Sequence, residues 1–244
     1  MDIKKESNKL LEIILPIFSQ YSDKYKIDDI YDFDINREIY KKNGLFTDKE
    51  QLKLNNSKNL FEENVLLKKI VSFKLISEKD PLKYYNWIVK DWGRITVFDK
   101  KIDVINDFFK QIGTNKLGSK HYCTISSLSK IAAFKFPERY FIYDSRVAYS
   151  LDWILIKSKK DTSYFFVPNG RNTFLEKYNM NNIISLFSGR YYEKKYTYAI
   201  YNELIENIFN NANQFRDACN VEMFLWSLFE KIKPEIKNSV KISD

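Results

Sequence analysis

Apolar residues recur at the spacing of an α-helix in several stretches of the chain. The helices predicted in this way cover Phe61–Leu75, Ile102–Ile112, Lys195–Asn210 and Ala218–Lys231. Glycine and proline, which interrupt helices, number only 6 and 5. The pattern therefore predicts a mostly α protein.

Three details of this pattern make further predictions. In the helix over Phe61–Leu75, the apolar side is expected to carry Phe73, and Glu63 is expected to face water. The run Arg94–Phe98 is interpreted as a short strand. The polar residues after Lys231 are expected to form a frayed tail.

The most informative stretch is Ser126–Asp152, which reads SSLSKIAAFKFPERYFIYDSRVAYSLD. Ser126 or Ser127 is expected to cap a helix, because a hydroxyl oxygen accepts a hydrogen bond from an N–H group two or three residues later. Pro137 disfavours helical dihedrals at the residue before it, so this helix is predicted to end near Lys135.

A strand-like return and a second helix follow. Tyr140–Tyr143 is predicted to be extended, and Asp144 is predicted to be the N-cap of the next helix. A first helix of about eight residues spans roughly 12 Å. Seven extended residues reach back roughly 23 Å. The chain can therefore double back and place the Asp144 carboxylate beside the Lys130 amine.

Such a pair has the chemistry of covalent catalysis. Lys130 is expected in the first turn of its helix, where the positive end of the dipole favours the neutral amine. The same effect keeps Asp144 ionised at the start of its own helix. A neutral amine beside a carboxylate is a nucleophile with a charge stabiliser. A capping aspartate and an early lysine also occur in proteins without such chemistry, and that interpretation remains open.

Length and charge set the class of protein. The chain has 244 residues, of which 44% are hydrophobic, and this suits a single domain over 1–244. The net charge is +8, from 40 basic and 32 acidic residues. This excess permits binding to a polyanion, because neutralised phosphates release counterions. It is equally compatible with a biased amino-acid composition.

Cysteine and histidine are too few for several classes of site. Cys123 and Cys219 cannot form a disulfide framework or a four-cysteine iron–sulfur cluster, and they suit a reducing, cytoplasmic location. His121 is the single histidine, which argues against a zinc site and a Ser-His-Asp triad. We expect no metal and no organic cofactor. The sequence contains no run of transmembrane length and no signal peptide, so no membrane partner is expected.

The order of these signals resembles the helix-hairpin-helix DNA glycosylase superfamily, and most closely its bacterial 8-oxoguanine glycosylase (OGG-fold) proteins. Lys130 falls on the catalytic lysine of that family, and the segment 143–147 (YDSRV) falls on the segment that carries its catalytic aspartate, here Asp144. Two features differ from the family. The glycine-rich hairpin is replaced by residues 125–129 (ISSLS), and the lysine-to-aspartate spacing is 14 residues.

The resemblance implies two helical subdomains flanking a cleft. Residues 1–80 would form an N-terminal helical part, and 81–230 a glycosylase-like core with its hairpin and catalytic segment at 102–156. The implied partner is double-stranded DNA, bound by a monomer. The implied reaction is excision of a flipped-out modified base such as 8-oxoguanine, with Lys130 as nucleophile and Asp144 as stabiliser, and with an associated abasic-site lyase activity.

Further residues receive expected roles from the resemblance. Trp87 and Trp92 are expected to line the base pocket, because a flipped base stacks on aromatic faces. The remaining residues are expected to contact DNA or substrate: Lys120, Ser127, Ser129, Arg146 and Arg171.

Other functions remain open at this point. The chain can be a non-catalytic DNA-binding or interaction module on the same fold. It can also be a glycosylase for hypermodified bases of foreign DNA, such as that of phages. Residues 234–237 (PEIK) are similar to the end of a restriction-type E-x-K motif, which would indicate a metal-dependent nuclease.

Overall fold

The computed structural model describes residues 1–41, 44–170, 172–186 and 189–240. The described chain is mostly helical, which confirms the mostly α prediction. No helix in the described ranges combines the length and the apolar character needed to cross a membrane.

The first part of the chain alternates long and short helices. They are α1 (Ile3–Lys24), α2 (Ile27–Ile30), α3 (Glu38–Lys41), α4 (Asp48–Asn55), α5 (Leu60–Ser77), α6 (Leu82–Asn86) and a π-helical turn over Trp87–Trp92.

The second part contains the two helices of the informative stretch and the long C-terminal helices. The elements are α7 (Ile102–Gly113), α8 (Ser119–Tyr122), α9 (Ile125–Lys135), α10 (Ser145–Ser158), β1 (Ser163–Tyr164), α11 (Thr173–Lys177), α12 (Met180–Leu186), β2 (Arg190–Tyr191), α13 (Lys194–Asn211) and α14 (Ala218–Ser239). The two short strands pair in parallel. In the core, α1 packs on α13, α10 on α14 and α5 on α9.

Two of the pattern-based details are wrong. The tail does not fray between Lys231 and Ser239, because α14 continues through Pro234 to Ser239 and buries Ile232 and Ile236 on its apolar face. Residues 241–244 of the predicted tail lie outside the described residues. Arg94 does not begin a strand, because its φ of 54° lies in the left-handed region.

The buried face of α5 also differs from the prediction. Phe73 is 76% exposed, whereas Glu63 is fully buried. Glu63 accepts hydrogen bonds from the Arg37 guanidinium (3.0 and 3.2 Å) and from the Tyr40 hydroxyl (2.9 Å). A buried carboxylate needs such partners, and they come from a part of the chain that helical periodicity does not reveal.

Asp144 caps α10, as the sequence predicts. Its Oδ1 atom accepts hydrogen bonds from the backbone N–H groups of Arg146 (3.1 Å) and Val147 (3.2 Å). The cap of α9 is different from the prediction: the helix begins at Ile125, its N-cap is Thr124, and no side chain caps it. The predicted end of this helix at Lys135 is confirmed.

The return segment between α9 and α10 is extended but belongs to no sheet. Side chains instead satisfy the backbone N–H and C=O groups of residues 141–143, all of which are buried. The partners are Asn202 and Tyr198 for Phe141, Glu222 and Tyr201 for Ile142, and Ser129 for both groups of Tyr143. Because buried backbone groups require partners, these bonds fix the segment against α9, α13 and α14, and so fix the position of Asp144.

A buried carboxyl lies further along α10. Asp152 is fully buried and accepts a hydrogen bond from the Phe165 N–H at 2.8 Å, while its Oδ2 atom has no hydrogen-bond partner among the described residues. Burial raises the pKa of Asp152 well above its usual value. The folded protein therefore holds this proton more tightly than the unfolded chain does.

This difference predicts a pH dependence of stability. The contribution of Asp152 is fully present below about pH 4, the unfolded pKa, and is lost as the pH rises through the folded pKa. We expect Asp152→Asn to remove this loss, so that the variant gains about 1 kcal/mol or more relative to the wild type between pH 4 and pH 8. Urea unfolding at both pH values measures it. Asp161 is exposed, so Asp161→Asn should show no such gain. The prediction would be refuted if the free energy of unfolding changed equally with pH in Asp152→Asn and in the wild type.

Candidate active site

The structure brings Lys130 and Asp144 together, as the doubling-back argument predicts. The Lys130 Nζ lies 3.6 Å from the Asp144 Oδ2 and donates a hydrogen bond of 2.9 Å to the carbonyl oxygen of Ser126. The Lys130 side chain is only 9% exposed. Asp144 thus uses Oδ1 to cap α10 and presents Oδ2 to the amine.

Lys130 lies deeper in its helix than the sequence suggests. Because α9 begins at Ile125, Lys130 is its sixth residue and lies beyond the first turn. The helix dipole acts mainly within the first turn, so the predicted dipole effect on Lys130 does not apply. The groups that fix this amine are instead the Ser126 carbonyl and the Asp144 carboxylate.

A glycine forms the wall beside the Lys130 stem. The π-helical turn over Trp87–Trp92 ends at Gly93, whose N–H donates to the Ile88 carbonyl at 2.8 Å. A Cβ atom on Gly93 would lie 3.0 Å from the Lys130 Cδ and 2.8 Å from the Val89 carbonyl oxygen. Single π-helical turns occur frequently at functional sites. Here the turn leaves just enough space for the lysine.

We therefore expect Gly93→Ala to lower the free energy of unfolding by about 1–3 kcal/mol, the usual cost of overpacking. Part of the loss should return when Lys130→Ala is added, because the collision with the lysine stem is then removed. Denaturant unfolding of the single and double variants measures this coupling. Gly113→Ala is the matched control, since a Cβ there meets nothing within 4 Å. A Gly93→Ala variant as stable as the wild type would contradict this prediction.

Lys130 and Asp144 open onto a cavity of about 940 Å³. Its wall is built from the start of α9, the start of α10, the middle of α5 and α14, and the loops at 31–34, 92–95 and 166–170. This volume lies within the usual range for small-molecule sites.

Aromatic rings form one side of the cavity. Phe33 packs on Trp92 with ring centroids 4.9 Å apart, and on Trp226 at 5.4 Å with the planes at 84°. The Trp92 indole N–H donates to the Asn64 side chain at 2.9 Å, so the ring is fixed in place. These three rings make this side of the cavity wall apolar.

A second buried ion pair lies in the same cavity wall. The Lys68 Nζ is 3.2 Å and 3.5 Å from the two carboxylate oxygens of Glu222, and their side chains are 2% and 4% exposed. Glu222 also accepts the N–H of Ile142 at 3.0 Å. Burial raises the pKa of Glu222, and the Lys68 ammonium opposes this shift.

Three cations of the cavity wall rest on aromatic faces. The distances to the ring centroids are 5.4 Å for Arg94 on Phe33, 4.5 Å for Arg146 on Trp226 and 4.4 Å for Lys194 on Phe166. Arg94 also donates to the carbonyl oxygen of Asp34. Cation–π contacts orient these groups, and the Arg146 guanidinium also lies 3.9 Å from the Glu230 carboxylate.

Some of the predicted site residues line the cavity and others do not. Trp92, Ser127 and Arg146 line the cavity together with Lys130 and Asp144. Trp87 does not line it: the ring is fully buried between Phe46 and Phe134, and its indole N–H donates to the carbonyl oxygen of Ile39.

Of the three further candidates, two do not line the cavity and one lies outside the described residues. Ser129 is fully buried and bonds the backbone of Tyr143, so its hydroxyl is not presented to DNA. Lys120 is exposed in α8 and does not line the cavity. Arg171 lies outside the described residues.

The segment 234–237 has structural contacts in α14. Glu235 accepts a hydrogen bond of 2.6 Å from the Tyr21 hydroxyl and lies 3.9 Å from the Lys157 amine. The segment is helical and is not part of the cavity wall. Within the described ranges, no group of three or more His, Cys, Asp or Glu side chains is placed to hold a metal ion.

Sequence reasoning missed several groups of the cavity wall, above all Lys68, Glu222 and Trp226. A weak signal exists, because Glu222 stands between Val221 and Met223, and Lys68 follows two leucines, in helices that pack in the core. Their pairing joins positions 154 residues apart, which no local pattern reveals.

Comparison of the chain with protein-family models, with curated proteins and with solved structures finds no match.

Proposed function

We propose that this protein is a DNA glycosylase with abasic-site lyase activity. The observation that carries the proposal is a buried amine, Lys130, 3.6 Å from a helix-capping carboxylate, Asp144, in the wall of a cavity large enough for a flipped nucleotide. The helices on either side of this cavity would correspond to the two subdomains of the helix-hairpin-helix glycosylases that the sequence resembles.

In the proposed reaction, the unprotonated amine of Lys130 attacks C1′ of the flipped nucleotide. The bond from C1′ to the base breaks, and its electron pair leaves with the base. Asp144 stabilises the positive charge that develops on the sugar and accepts a proton from the attacking nitrogen. As the sugar ring opens, O4′ takes a proton from water, and the resulting Schiff base loses a C2′ proton and expels the 3′ phosphate.

The cavity wall favours a purine of the guanine type. The aromatic side would stack on the base, the Lys68 ammonium would donate to a base carbonyl, and the Glu222 carboxylate would accept from adjacent N–H groups. A guanine edge presents this order of acceptor and donors, which is compatible with 8-oxoguanine. The cavity volume also leaves space for a larger modified base, including those of foreign DNA.

The absence of a glycine hairpin has a structural explanation. Only Cys123 and Thr124 connect α8 to α9, with φ angles of −61° and −117°. Neither value lies in the left-handed region, so this connection does not require glycine. The turn between α8 and α9 can therefore form without the usual glycines.

The proposal is tested with duplex DNA carrying a panel of modified purines and an abasic site. We expect release of at least one base and, after reduction with borohydride, a covalent protein–DNA product at the abasic site. Release of a base without this product would restrict the protein to a glycosylase without lyase activity. If no member of the panel gave base release or the covalent product, the proposed function would be overturned.

A non-catalytic DNA-binding module is the second candidate. The hydrogen bond from Lys130 to the Ser126 carbonyl favours it, because the amine then has a purely structural set of partners. This alternative predicts duplex binding that Lys130→Ala leaves intact, with no base release by the wild type. Filter binding and base-release assays on the same duplexes distinguish the two functions.

A further inference from the structure

The cavity holds a second buried amine that the attack on the sugar does not use. Lys68 projects from α5 into the cavity wall, and within the described residues its hydrogen bonds go to Glu222. An ammonium group has three N–H donors. Two donors directed at one carboxylate leave further hydrogen-bonding capacity for a ligand in the cavity.

The structural role of Glu222, which accepts the Ile142 N–H, does not explain the buried ammonium beside it. The cost of removing two charges from water offsets much of their attraction, so a buried ion pair adds little net stability. Its surroundings suit a ligand instead. Trp226 lies one helical turn after Glu222 and is part of the aromatic wall, so a base stacked there would have its edge near the ammonium.

We propose that Lys68 is the acid that protonates the leaving base. This inference rests on the proposed function. Negative charge develops on the base as its bond to C1′ breaks, and a positioned cation in a site that excludes water stabilises such charge strongly. Glu222 holds the ammonium in place.

The step balances without a further reactant. Lys130 forms the new bond to C1′ and releases one proton to Asp144. The bond between C1′ and the base nitrogen breaks, its electron pair leaves with the base and is delocalised onto the base carbonyl, and that carbonyl oxygen takes one proton from Lys68. Exchange with water then returns a proton to Lys68 and removes one from Asp144. No oxidant or reductant takes part.

Binding of urate tests the site directly, because urate is an anionic purine at neutral pH and resembles the departing base. We expect the wild type to bind urate in calorimetry, and Lys68→Gln to weaken binding on the order of tenfold. Glu222→Gln should tighten binding, because it removes a nearby negative charge. A purely structural pair would not give these opposite changes. Absence of urate binding by the wild type, or equal binding by Lys68→Gln, would overturn the proposal.

Two further variants keep the test interpretable. Lys69→Gln removes the same charge from the same helix at an exposed position that pairs with Asp217, and urate binding should not change. If Lys68→Gln alone does not fold, the double variant Lys68→Gln/Glu222→Gln leaves no unpaired charge and is compared with Glu222→Gln. Weaker urate binding by the double variant supports the role of Lys68, and equal binding contradicts it.

Kinetics separate this inference from the proposed function. An abasic site has no base to expel, so Lys68→Gln should slow base release more than it slows borohydride trapping at an abasic site. Failure of the wild type to trap at an abasic site would refute the lyase function, whatever the urate result. Normal base release by Lys68→Gln would refute the role of Lys68 alone.

Discussion

Lys130→Ala is expected to abolish the borohydride-dependent crosslink to abasic-site DNA and to lower base release by about 1,000-fold or more. The reason is chemical, since removal of the nucleophile removes covalent catalysis and leaves only binding and electrostatic effects. Gel electrophoresis of the reduced complex and single-turnover base release measure the two effects. DNA binding should remain, because the Lys130 side chain is only 9% exposed.

Lys135→Ala is the matched control for this prediction. Lys135 lies on the same helix, and burial lowers its pKa, which favours the neutral amine that nucleophilic attack requires. Its amine lies over the rings of Phe109, Phe136 and Tyr85 and is not part of the cavity wall. We expect Lys135→Ala to form the crosslink. Loss of the crosslink in Lys135→Ala with retention in Lys130→Ala would contradict the assignment.

Asp144→Asn is expected to reduce base release on the order of 100-fold, with a small effect on stability. The amide keeps an oxygen to accept the N–H groups of Arg146 and Val147 but loses the charge that faces Lys130. Asp144→Ala loses both functions, so it should also lower the free energy of unfolding by about 1 kcal/mol. Single-turnover kinetics and thermal unfolding separate the two roles.

Asp217→Asn is the control for Asp144. Asp217 is the N-cap of α14 and pairs with exposed Lys69, but it does not line the cavity. We expect normal base release from Asp217→Asn. If Asp144→Asn released base at the wild-type rate, Asp144 would be only a helix cap, and the proposed mechanism would lose its charge stabiliser.

Local signals predict the centre of the site well. Pro137 ends α9, and Asp144 begins α10, because each residue acts on backbone groups within a few positions of itself. Chain length then forces the two helix ends close together, and the structure confirms this at Lys130 and Asp144. The predicted dipole effect on Lys130 is wrong because it depends on the residue at which α9 begins. A hydrophobic pattern locates the ends of a helix less precisely than it locates the helix.

The remainder of the cavity depends on contacts between distant residues. Lys68 and Glu222 form their ion pair only in the folded chain. Phe33 likewise becomes part of the aromatic wall only when its loop packs on Trp92 and Trp226. Trp87 and Trp92 belong to one aromatic-rich sequence, yet one is in the core and the other lines the cavity. The π-helical turn that separates them gives no clear sequence signal.

The identity of the attacked amine is the central claim, and mass spectrometry of the reduced protein–DNA adduct tests it most directly. After borohydride reduction on abasic-site DNA and digestion of both partners, the account predicts a sugar remnant on the peptide that contains Lys130. A remnant on Lys68, on Lys135 or on the N-terminal amine of Met1 would contradict it, as would the absence of any adduct.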